Sequence, residues 1–456
     1  MLNFAEMPLL APLQRALVEV NYVAMTPVQA ASLPAILAGR DVTAQAMTGS
    51  GKTAVFALGL LSTLDAARAQ LQGLVLCPTR ELADQVSREI RRLACFIPNV
   101  KVLTLCGGIP VRVHLTSLAH APHIVVGTPG RVLDLLEQNA LSLASLQTLV
   151  LDEADRMLDM GFTEDLNKII ERAPKARQTL LFSATMPPPI RVLSRRYQQQ
   201  AQEVTLASDA AETLIEQHFF EVEAAHKPVA LAILLAARRP AAALVFCNTR
   251  DSVRTVTESL AQRGFSVLAL HGELEQRERE EILVRFTNHS CNVLIATDVA
   301  ARGLDIKELA MVINFDLATD PDTHLHRIGR TGRAGHQGLA LSLCTPYETL
   351  RAAQVAPAAE KISWQKVSLV TDATQPAVAP CVTLLVDAGR QDKLRPGDLL
   401  GALTGDAGVP NAAVGKIDVF ATRTYVAVAR EWGARAVAGL RAGKIKGRKF
   451  RLRQLA

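Results

Sequence analysis

The sequence is poor in cysteine, in aromatic residues and in long apolar runs. Its seven cysteines are scattered and include no Cys-x-x-Cys pair, so the sequence supports neither a disulfide framework nor a zinc knuckle. No run approaches the ~18 consecutive apolar residues of a membrane span, and the N-terminus lacks the basic region and cleavage site of a signal peptide. We therefore expect a chain of the reducing cytoplasm whose cysteines are mostly small buried apolar residues.

The rest of the composition is ordinary for folded domains. Hydrophobic residues make up 49% and charged residues 21% of the 456 residues, a length that allows roughly two to four domains. The net charge of +6 is unevenly placed, because residues 377–456 contain 14 Lys and Arg against 6 Asp and Glu. This concentration is typical of a phosphate-binding surface, although composition alone equally allows a solvated basic tail.

Short apolar runs alternate with helical stretches along most of the chain. The runs begin at residues 42, 73, 123, 148 and 179, and again at 243, 267, 292, 311 and 339. Continuous apolar strands separated by helices predict parallel sheets that are covered on both faces. The series pauses at 201–212, a polar stretch that predicts a hinge linker between two α/β domains, residues 1–200 and 213–352.

A different pattern follows an Ala- and Pro-rich linker that we predict at 353–379. Residues 380–456 follow the order β-α-β-β-α-β of a ferredoxin-like fold. The predicted fold class is therefore α/β, with two tandem parallel-sheet domains followed by a small α+β domain.

A glycine-rich segment lies between the strand predicted at 42–46 and a predicted helix. It consists of Ala46, Met47, Thr48, Gly49, Ser50, Gly51, Lys52 and Thr53. In this context backbone N–H groups surround a β-phosphate, Lys52 supplies positive charge and the Thr53 hydroxyl ligates Mg²⁺. We therefore predict a nucleotide-binding phosphate loop, in which Ala46 stands where the general pattern has glycine.

An acidic pair, Asp152-Glu153, follows the strand predicted at 148–151. Asp152 is placed to hold a magnesium ion, and Glu153 to orient or deprotonate the attacking water. Alone, such a pair is typical of the start of a solvated helix. The apolar strand before it and the phosphate loop earlier in the chain favour the catalytic interpretation.

Together these motifs resemble the DEAD-box family of RNA helicases, whose signature is Asp152-Glu153-Ala154-Asp155. The resemblance covers roughly residues 1–352 and implies two RecA-like domains, ATP and Mg²⁺ as cofactors, and RNA as partner. It also implies that Thr26 and Gln29 belong to an adenine-reading segment and that Phe4 stacks on the base. Ser183 and Thr185 resemble the motif that couples hydrolysis to domain closure.

The resemblance further implies RNA contacts from both α/β domains. They are Pro78, Thr79, Arg80, Gly107, Gly108, Thr128, Gly130 and Arg131 in the first domain, and Gln276, Arg279 and Thr297 in the second. The small and hydroxyl residues among them suit contacts to phosphates, which carry little sequence information. The preference for RNA and the mechanism of local strand separation come from the resemblance.

The basic segment at 326–333 resembles the last helicase motif. A phosphate loop on one domain and this arginine segment on the other imply a composite site, in which Arg330 and Arg333 reach the γ-phosphate. The resemblance also implies nucleotide contacts from Gly303 and from Asp305, the latter at the ribose. Alone, the segment equally fits a basic glycine-rich turn, and the nearby His324 is more typical of a core or RNA-facing imidazole than of a metal ligand.

The C-terminal domain indicates the subfamily. Its order fits an RNA-recognition motif, yet the strand at 423–429 has a single aromatic residue and the strand at 383–387 has none, so base stacking on the sheet is doubtful. The segments at 390–405 and 443–448 instead resemble the bacterial DbpA subfamily. That resemblance implies recognition of a hairpin of large-subunit (23S) ribosomal RNA during ribosome assembly, with Lys444, Lys446 and Arg448 as contacts.

Several alternatives stay open at this level. The C-terminal domain could instead dimerise the protein, but its net charge of +8 and its lack of apolar surface runs disfavour this, and we expect a monomer. The first functional hypothesis is an ATP-dependent RNA helicase that is targeted to 23S rRNA. The second is an ATP-gated clamp that holds RNA without unwinding it, and the third is a helicase with another RNA target.

Overall fold

The computed structural model describes residues 3–46, 49–205, 215–301, 309–332, 337–356, 362, 364–368 and 376–455. These residues form two compact units, the first of residues up to 205 and the second of residues from 215 onward. No helix in the described ranges is long and apolar enough to cross a bilayer.

A parallel sheet forms the centre of the first unit. Its described strands are β1 (Val42–Gln45), β2 (Gly73–Leu76), β3 (Val102–Leu105), β4 (Ile124–Gly127), β5 (Thr148–Leu151), β6 (Gln178–Ser183) and β7 (Gln202–Thr205), in the order β3-β4-β2-β5-β6-β1-β7. The helices are α1 (Ala11–Glu19), α2 (Pro27–Leu37), α3 (Lys52–Thr63), α4 (Arg80–Leu93), α5 (Val111–Leu118), α6 (Pro129–Glu137), α7 (Ala154–Asp159), α8 (Thr163–Glu171) and α9 (Pro188–Tyr197).

The apolar strands of this sheet are buried on both faces. Val75 and Leu180 belong to one core cluster, whereas their neighbours Leu74 and Leu181 belong to another. Side chains alternate across a strand, so two covered faces require a continuous apolar run. Because the strands are parallel, the loops that follow β1, β5 and β6 emerge at the same edge of the sheet, which brings the predicted nucleotide motifs together.

The second unit begins with another parallel sheet. Its described strands are β8 (Ile215–Glu221), β9 (Ala243–Cys247), β10 (Val267–Leu270), β11 (Val293–Thr297), β12 (Met311–Asn314), β13 (Gly338–Cys344) and β14 (Trp364–Gln365), in the order β10-β11-β9-β12-β13-β8-β14. The helices are α10 (Lys227–Arg238), α11 (Arg250–Gln262), α12 (Gln276–Thr287), α13 (Asp298–Ala301), α14 (Pro321–Ile328) and α15 (Thr349–Val355).

The second unit ends in a small antiparallel sheet. Its elements are β15 (Cys381–Val386), α16 (Pro396–Thr404), β16 (Val414–Val419), β17 (Thr424–Ala429), α17 (Gly433–Ala442) and β18 (Leu452–Leu455), with strand order β16-β17-β15-β18. This is the predicted β-α-β-β-α-β order. The predicted fold class, two parallel-sheet domains followed by a small α+β domain, is confirmed.

The antiparallel sheet is covered on both faces. One face packs on α16 and α17 through residues such as Leu384 and Val426. On the other face, Leu385 and Tyr425 form a buried cluster with Val284 of α12, which belongs to the preceding α/β domain. Tyr425 is only 2% exposed, so the single aromatic residue of β17 lies in a domain junction and is not available to stack on a base.

Polar groups fix the same junction. The Asn288 side-chain amide donates to the Thr383 hydroxyl at 2.9 Å, and the Thr383 hydroxyl donates to Ser290 Oγ at 2.7 Å. All three residues are buried. Because unpaired buried polar groups are costly, this network favours one orientation of the C-terminal domain on the α/β domain.

Short strands lie within both segments that the sequence predicts as linkers. Gln202–Thr205, in the segment predicted as a hinge, is strand β7, which pairs with β1 in parallel register. Trp364–Gln365, in the second predicted linker, pairs with β8. Residues 206–214, 357–361 and 369–375 lie outside the described part of the chain. Edge strands are short and polar, so their sequences resemble those of loops.

Candidate active site and RNA interface

The phosphate loop leads from β1 into α3. Gly49 and Gly51 have φ values of 89° and 95°, a region that side chains rarely adopt and that turns backbone N–H groups inward. Lys52 is 5% exposed and its Nζ donates to the Ala46 carbonyl at 2.8 Å. Thr53 lies in the first turn of α3. Met47 and Thr48 lie outside the described residues.

The predicted adenine-reading segment is bonded directly to this loop. Gln29 Nε2 donates to the Gly51 carbonyl at 3.1 Å, and the Thr26 hydroxyl donates to the Ser50 carbonyl at 2.7 Å. Gln29 Oε1 also accepts from the Thr26 N–H at 2.8 Å. A Cβ on Gly51 would lie 2.5 Å from Gln29 Nε2. The structure therefore brings Thr26, Gln29 and the loop together, and a side chain at position 51 would be strained by its positive φ and would displace Gln29.

Phe4 does not present an open ring face. The residue is 2% exposed, and its ring is stacked on Tyr22 with centroids 6.3 Å apart. The base-stacking role predicted for Phe4 therefore requires that the ring first be uncovered.

The acidic pair lies at the edge of the sheet where the phosphate loop begins. Asp152 is 2% exposed and Glu153 is 4% exposed. Burial raises the pKa of Asp152 to about 7, while nearby Lys52 opposes that rise and Glu153 adds to it. Glu153 has a positive φ of 52°, a conformation that is strained for a non-glycine residue and is frequent at functional sites.

Asp152 and Thr53 suit a magnesium ion that is held jointly with a nucleotide. Asp152 Oδ1 is buried and has no hydrogen-bond partner among the described residues. Magnesium in phosphate-transfer sites binds one or two protein oxygens together with substrate phosphates and water. No group of three or more His, Cys, Asp or Glu side chains in the described ranges is arranged to hold a metal ion, so a magnesium site here would depend on nucleotide oxygens.

Asp155 joins the acidic motif to the predicted coupling motif, a role that the sequence interpretation missed. Its Oδ2 accepts from the N–H groups of Ala184 and Thr185 at 3.2 and 3.0 Å, and from the Thr185 hydroxyl at 3.1 Å. The Asp155 N–H donates to Ser183 Oγ at 3.3 Å. Ser183 and Thr185 are thus tied to the segment that carries Asp152 and Glu153.

The predicted RNA contacts of the first unit also contact one another. Thr79 caps α4 by accepting from the Leu82 N–H at 3.3 Å. The Arg80 guanidinium lies against Gly107 and Gly108, and a Cβ on Gly108 would lie 1.8 Å from Arg80 Nη1. Close approach of this guanidinium therefore requires glycine at position 108.

The remaining first-unit contacts lie at the start of α6. Arg131 Nη1 donates to the Ile109 carbonyl at 2.8 Å, so its guanidinium is held in place. Gly130 is exposed, while Thr128 and Pro78 are buried. Only part of the predicted set therefore reaches the surface.

In the second unit, Arg327 is a buried residue at the centre of a hydrogen-bond network, a feature that the sequence interpretation did not single out. It is 1% exposed, and its Nε and Nη2 donate to the two carboxylate oxygens of Asp298 at 2.7 and 2.6 Å. Its Nη1 donates to the Asn314 side chain and to the Asp316 carbonyl, and its Nη2 also donates to the Asn248 side chain. A fully engaged arginine of this kind positions its segment rather than contacting a phosphate.

Two other predicted residues of the second unit, Arg279 and Thr297, bond to Ala300 of α13. Arg279 of α12 donates to the Ala300 carbonyl at 3.2 Å, Thr297 Oγ1 accepts from the Ala300 N–H at 3.4 Å, and Gln276 begins α12. Arg330, two residues after α14, is 4% exposed. Gly303, Asp305 and Arg333 lie outside the described residues.

His324, on α14, lies in the core. Its Nε2 donates to Gln217 Oε1 at 2.9 Å, and its Nδ1 is buried without a hydrogen-bond partner in the described structure. Burial, and secondarily Arg327, lowers its pKa from 6.5 to about 4. Below pH 6.5 His324 therefore becomes protonated in the unfolded chain but stays neutral in the native protein. The free energy of unfolding falls as the pH falls towards 4.

We expect the lowered pKa of His324 to reduce the free energy of unfolding by about 3 kcal/mol as the pH falls from neutral towards 4. Denaturation midpoints at pH 5 and pH 7.5 should differ less in His324→Gln than in the wild type. His226→Gln, at an exposed position of the same unit, is the control and should keep the wild-type difference. Equal pH sensitivity in all three proteins would exclude His324 as the cause.

The C-terminal basic segment forms a tight turn on the small domain. Ile445 is 4% exposed and anchors the turn in the core, while Lys444, Lys446 and Arg448 on either side are exposed. Lys446 Nζ donates to the Lys393 carbonyl at 2.9 Å and lies 3.6 Å from the Asp398 carboxylate. The two C-terminal segments that indicated the subfamily are therefore adjacent in space.

Three family models match the chain. They are DEAD/DEAH box helicase over residues 26–192, helicase conserved C-terminal domain over 226–335, and DbpA RNA binding domain over 383–454. The chain is 52% identical to the ATP-dependent RNA helicase DbpA of Escherichia coli over 457 residues, covering 100% of both chains.

Two further similarities concern the helicase domains. The DEAD-box ATP-dependent RNA helicase CshA of Bacillus cereus is 42% identical over 350 residues, which are 76% of this chain and 66% of CshA. The structure of S. cerevisiae Dbp5 bound to RNA and ADP BeF3 has a TM-score of 0.72 and 28% identity, and the match covers 80% of this chain and 96% of Dbp5.

The chain belongs to the DEAD-box family of ATP-dependent RNA helicases and, within it, to the DbpA subfamily. This confirms the family and subfamily that the motifs predict, and with them an enzyme of the RNA helicase and ATPase class.

Proposed function

We propose that this helicase hydrolyses ATP in response to RNA, locally separates or remodels RNA duplexes, and is directed by its C-terminal domain to a 23S rRNA hairpin during assembly of the large ribosomal subunit. The observation that carries the targeting is the exposed basic turn at 444–448, anchored by Ile445. The sheet face is covered by α12, so the turn is the better candidate for the RNA contact.

At the nucleotide, we assign the phosphates to the loop and the adenine to Thr26 and Gln29. Lys52 would pair with phosphate oxygens in place of the Ala46 carbonyl, and Asp152 with Thr53 would hold Mg²⁺. When bound, that ion neutralises charge on the phosphate oxygens. Glu153 would accept a hydrogen bond from the attacking water and orient it.

Other roles rest on the family resemblance. Arg330 and Arg333 would stabilise charge on the γ-phosphate, Gly303 and Asp305 would contact the nucleotide, and Phe4 would stack on the base. Ser183 and Thr185 would transmit the state of the acidic motif through Asp155. The Dbp5 structure, which holds RNA and ADP BeF3, supports both ligands for the helicase core.

Targeting can be tested by competition. A labelled hairpin of 23S rRNA bound to the full chain should be displaced by unlabelled hairpin at much lower concentration than by an unrelated hairpin of equal length and stem stability. Equal displacement by both competitors would leave a helicase whose C-terminal domain is a general RNA anchor. Retention of an intact duplex with ATP, without strand release, would instead favour the clamp.

Neutralising the basic turn should weaken this selectivity. In the variant with Lys444, Lys446 and Arg448 changed to glutamine, we expect the slope of log affinity against log salt to fall by about 2, because each lost phosphate contact removes roughly 0.7. ATP hydrolysis without RNA should not change. A control with exposed Arg238, Arg254 and Arg263 changed to glutamine carries the same charge change and should keep the slope; an unaltered slope in the first variant would exclude the turn as the anchor.

We further propose that the protein is a cytoplasmic monomer. All seven cysteines are free, and five of them are buried, which fits a reducing compartment. Light scattering at several protein concentrations would test the monomer directly.

A further inference from the structure

A cavity of about 260 Å³ lies within the second unit, where the C-terminal domain meets the preceding α/β domain. The α/β domain contributes the start of β10 and the end and following loop of α12. The C-terminal domain contributes the start of β15, the residue that follows β17 and the end of β18. The cavity is therefore formed only when both domains are in place.

The cavity lining combines apolar residues, such as Leu268 and Val382, with several hydrogen-bond donors. Arg285, Arg430, Ser266, Ser290 and Gln454 all line it, and none of its lining residues is aspartate or glutamate. A site with two guanidinium groups and no carboxylate among its lining residues favours a ligand of negative charge.

The hydrogen bonds around the cavity leave donors for a ligand. Ser290 Oγ accepts from Thr383 at 2.7 Å and Ser266 Oγ accepts from the Ala379 N–H at 3.4 Å, so each hydroxyl keeps its own proton to donate. Arg430 is fixed by donating to the carbonyls of Ala379 and Cys381 at 2.6 and 3.3 Å. Its guanidinium has five N–H groups in total, so others can serve a ligand.

The charges around Arg285 also favour an anion in the cavity. Burial lowers the pKa of Arg285, while Cys291 and Glu281 oppose the shift. Glu281 is also 4.0 Å from Arg453, so its charge is shared. A guanidinium that has lost part of its hydration gains from an entering anion.

We propose that this cavity binds a phosphate group between Arg285 and Arg430. Two guanidinium groups that line one cavity can together bind the several oxygens of a phosphate, and arginine forks favour such oxyanions over a simple halide. The volume exceeds that of one phosphate and is smaller than a typical drug-sized pocket. The phosphate comes either from an RNA backbone or from a free phosphate compound, and in both cases it bridges the two domains.

The test uses the full chain saturated with ADP and Mg²⁺, so that the phosphate loop is filled. Inorganic phosphate should raise the unfolding temperature of the second unit above the value in chloride at equal ionic strength. Arg285→Gln and Arg430→Gln should each weaken phosphate binding about tenfold or more and remove most of that rise. Arg254→Gln, an exposed position on α11 that does not line the cavity, should keep the full rise.

A second variant and a second readout, RNA affinity, complete the experiment. Arg430 is exposed, so its variant tests the proposal even if Arg285→Gln fails to fold. If the phosphate is that of RNA, both variants also lose RNA affinity; if it is a free compound, RNA affinity stays at the wild-type level. A phosphate-dependent rise that is the same in the wild type and in Arg430→Gln would overturn the proposal, without bearing on RNA-stimulated ATP hydrolysis.

Discussion

Glu153→Gln protein is expected to bind ATP and RNA as the wild type does and to hydrolyse ATP about 100-fold more slowly, or slower still. Glutamine keeps the shape of the side chain but removes the charge that, in the proposed mechanism, orients the attacking water. Glu153 is buried beside Asp152 at the carboxyl edge of β5, so bulk water cannot easily replace the missing carboxylate. Single-turnover hydrolysis with RNA present measures the effect on the chemical step.

Glu164→Gln supplies the matched control for this prediction. Glu164 is an exposed glutamate at the start of α8 in the same unit, and its substitution should leave the rate unchanged. If Glu153→Gln retained wild-type turnover, Glu153 would have no part in hydrolysis.

Lys52→Ala protein is expected to lose nucleotide affinity by at least about 100-fold, since truncating one partner of a buried charge pair costs about 2–5 kcal/mol. The Lys52 ammonium is buried and its charge lowers the pKa of Asp152. Removing it therefore has a second effect: the Asp152 pKa rises further, which also disfavours the ionised form that Mg²⁺ requires. Binding of a fluorescent ATP analogue at fixed Mg²⁺ measures the combined loss.

Exposed Lys175 offers the corresponding control. Lys175→Ala should bind nucleotide as the wild type does, and thermal unfolding of both variants shows whether each is folded. Tight nucleotide binding by a folded Lys52→Ala protein would refute the phosphate-loop assignment.

The fold was predictable where the sequence carries its own signal. The runs of β2, β4 and β5 are apolar at successive positions, without the polar alternation of a half-exposed strand, and this indicates two covered faces. Strand β7 was missed because only Val204 of its four residues is buried, which leaves an edge strand that looks like a loop.

The candidate site was predictable residue by residue but not contact by contact. Lys52, Asp152 and Glu153 stand in local motifs, whereas the bonds from Asp155 to Thr185 span 30 residues and depend on the order of β5 and β6. Likewise, the sequence showed one aromatic residue on β17 but not that α12 covers it. Such long-range contacts follow from packing, and no local pattern encodes them.

The most direct test of the central claim is steady-state ATP hydrolysis by the full chain with no RNA, with unrelated RNA, and with a 23S rRNA fragment that contains the target hairpin. We expect slow hydrolysis without RNA and strong stimulation by the ribosomal fragment at concentrations where unrelated RNA has little effect. Equal stimulation by both RNAs would contradict specific targeting. Hydrolysis that does not respond to RNA at all would contradict the coupling of the nucleotide site to RNA.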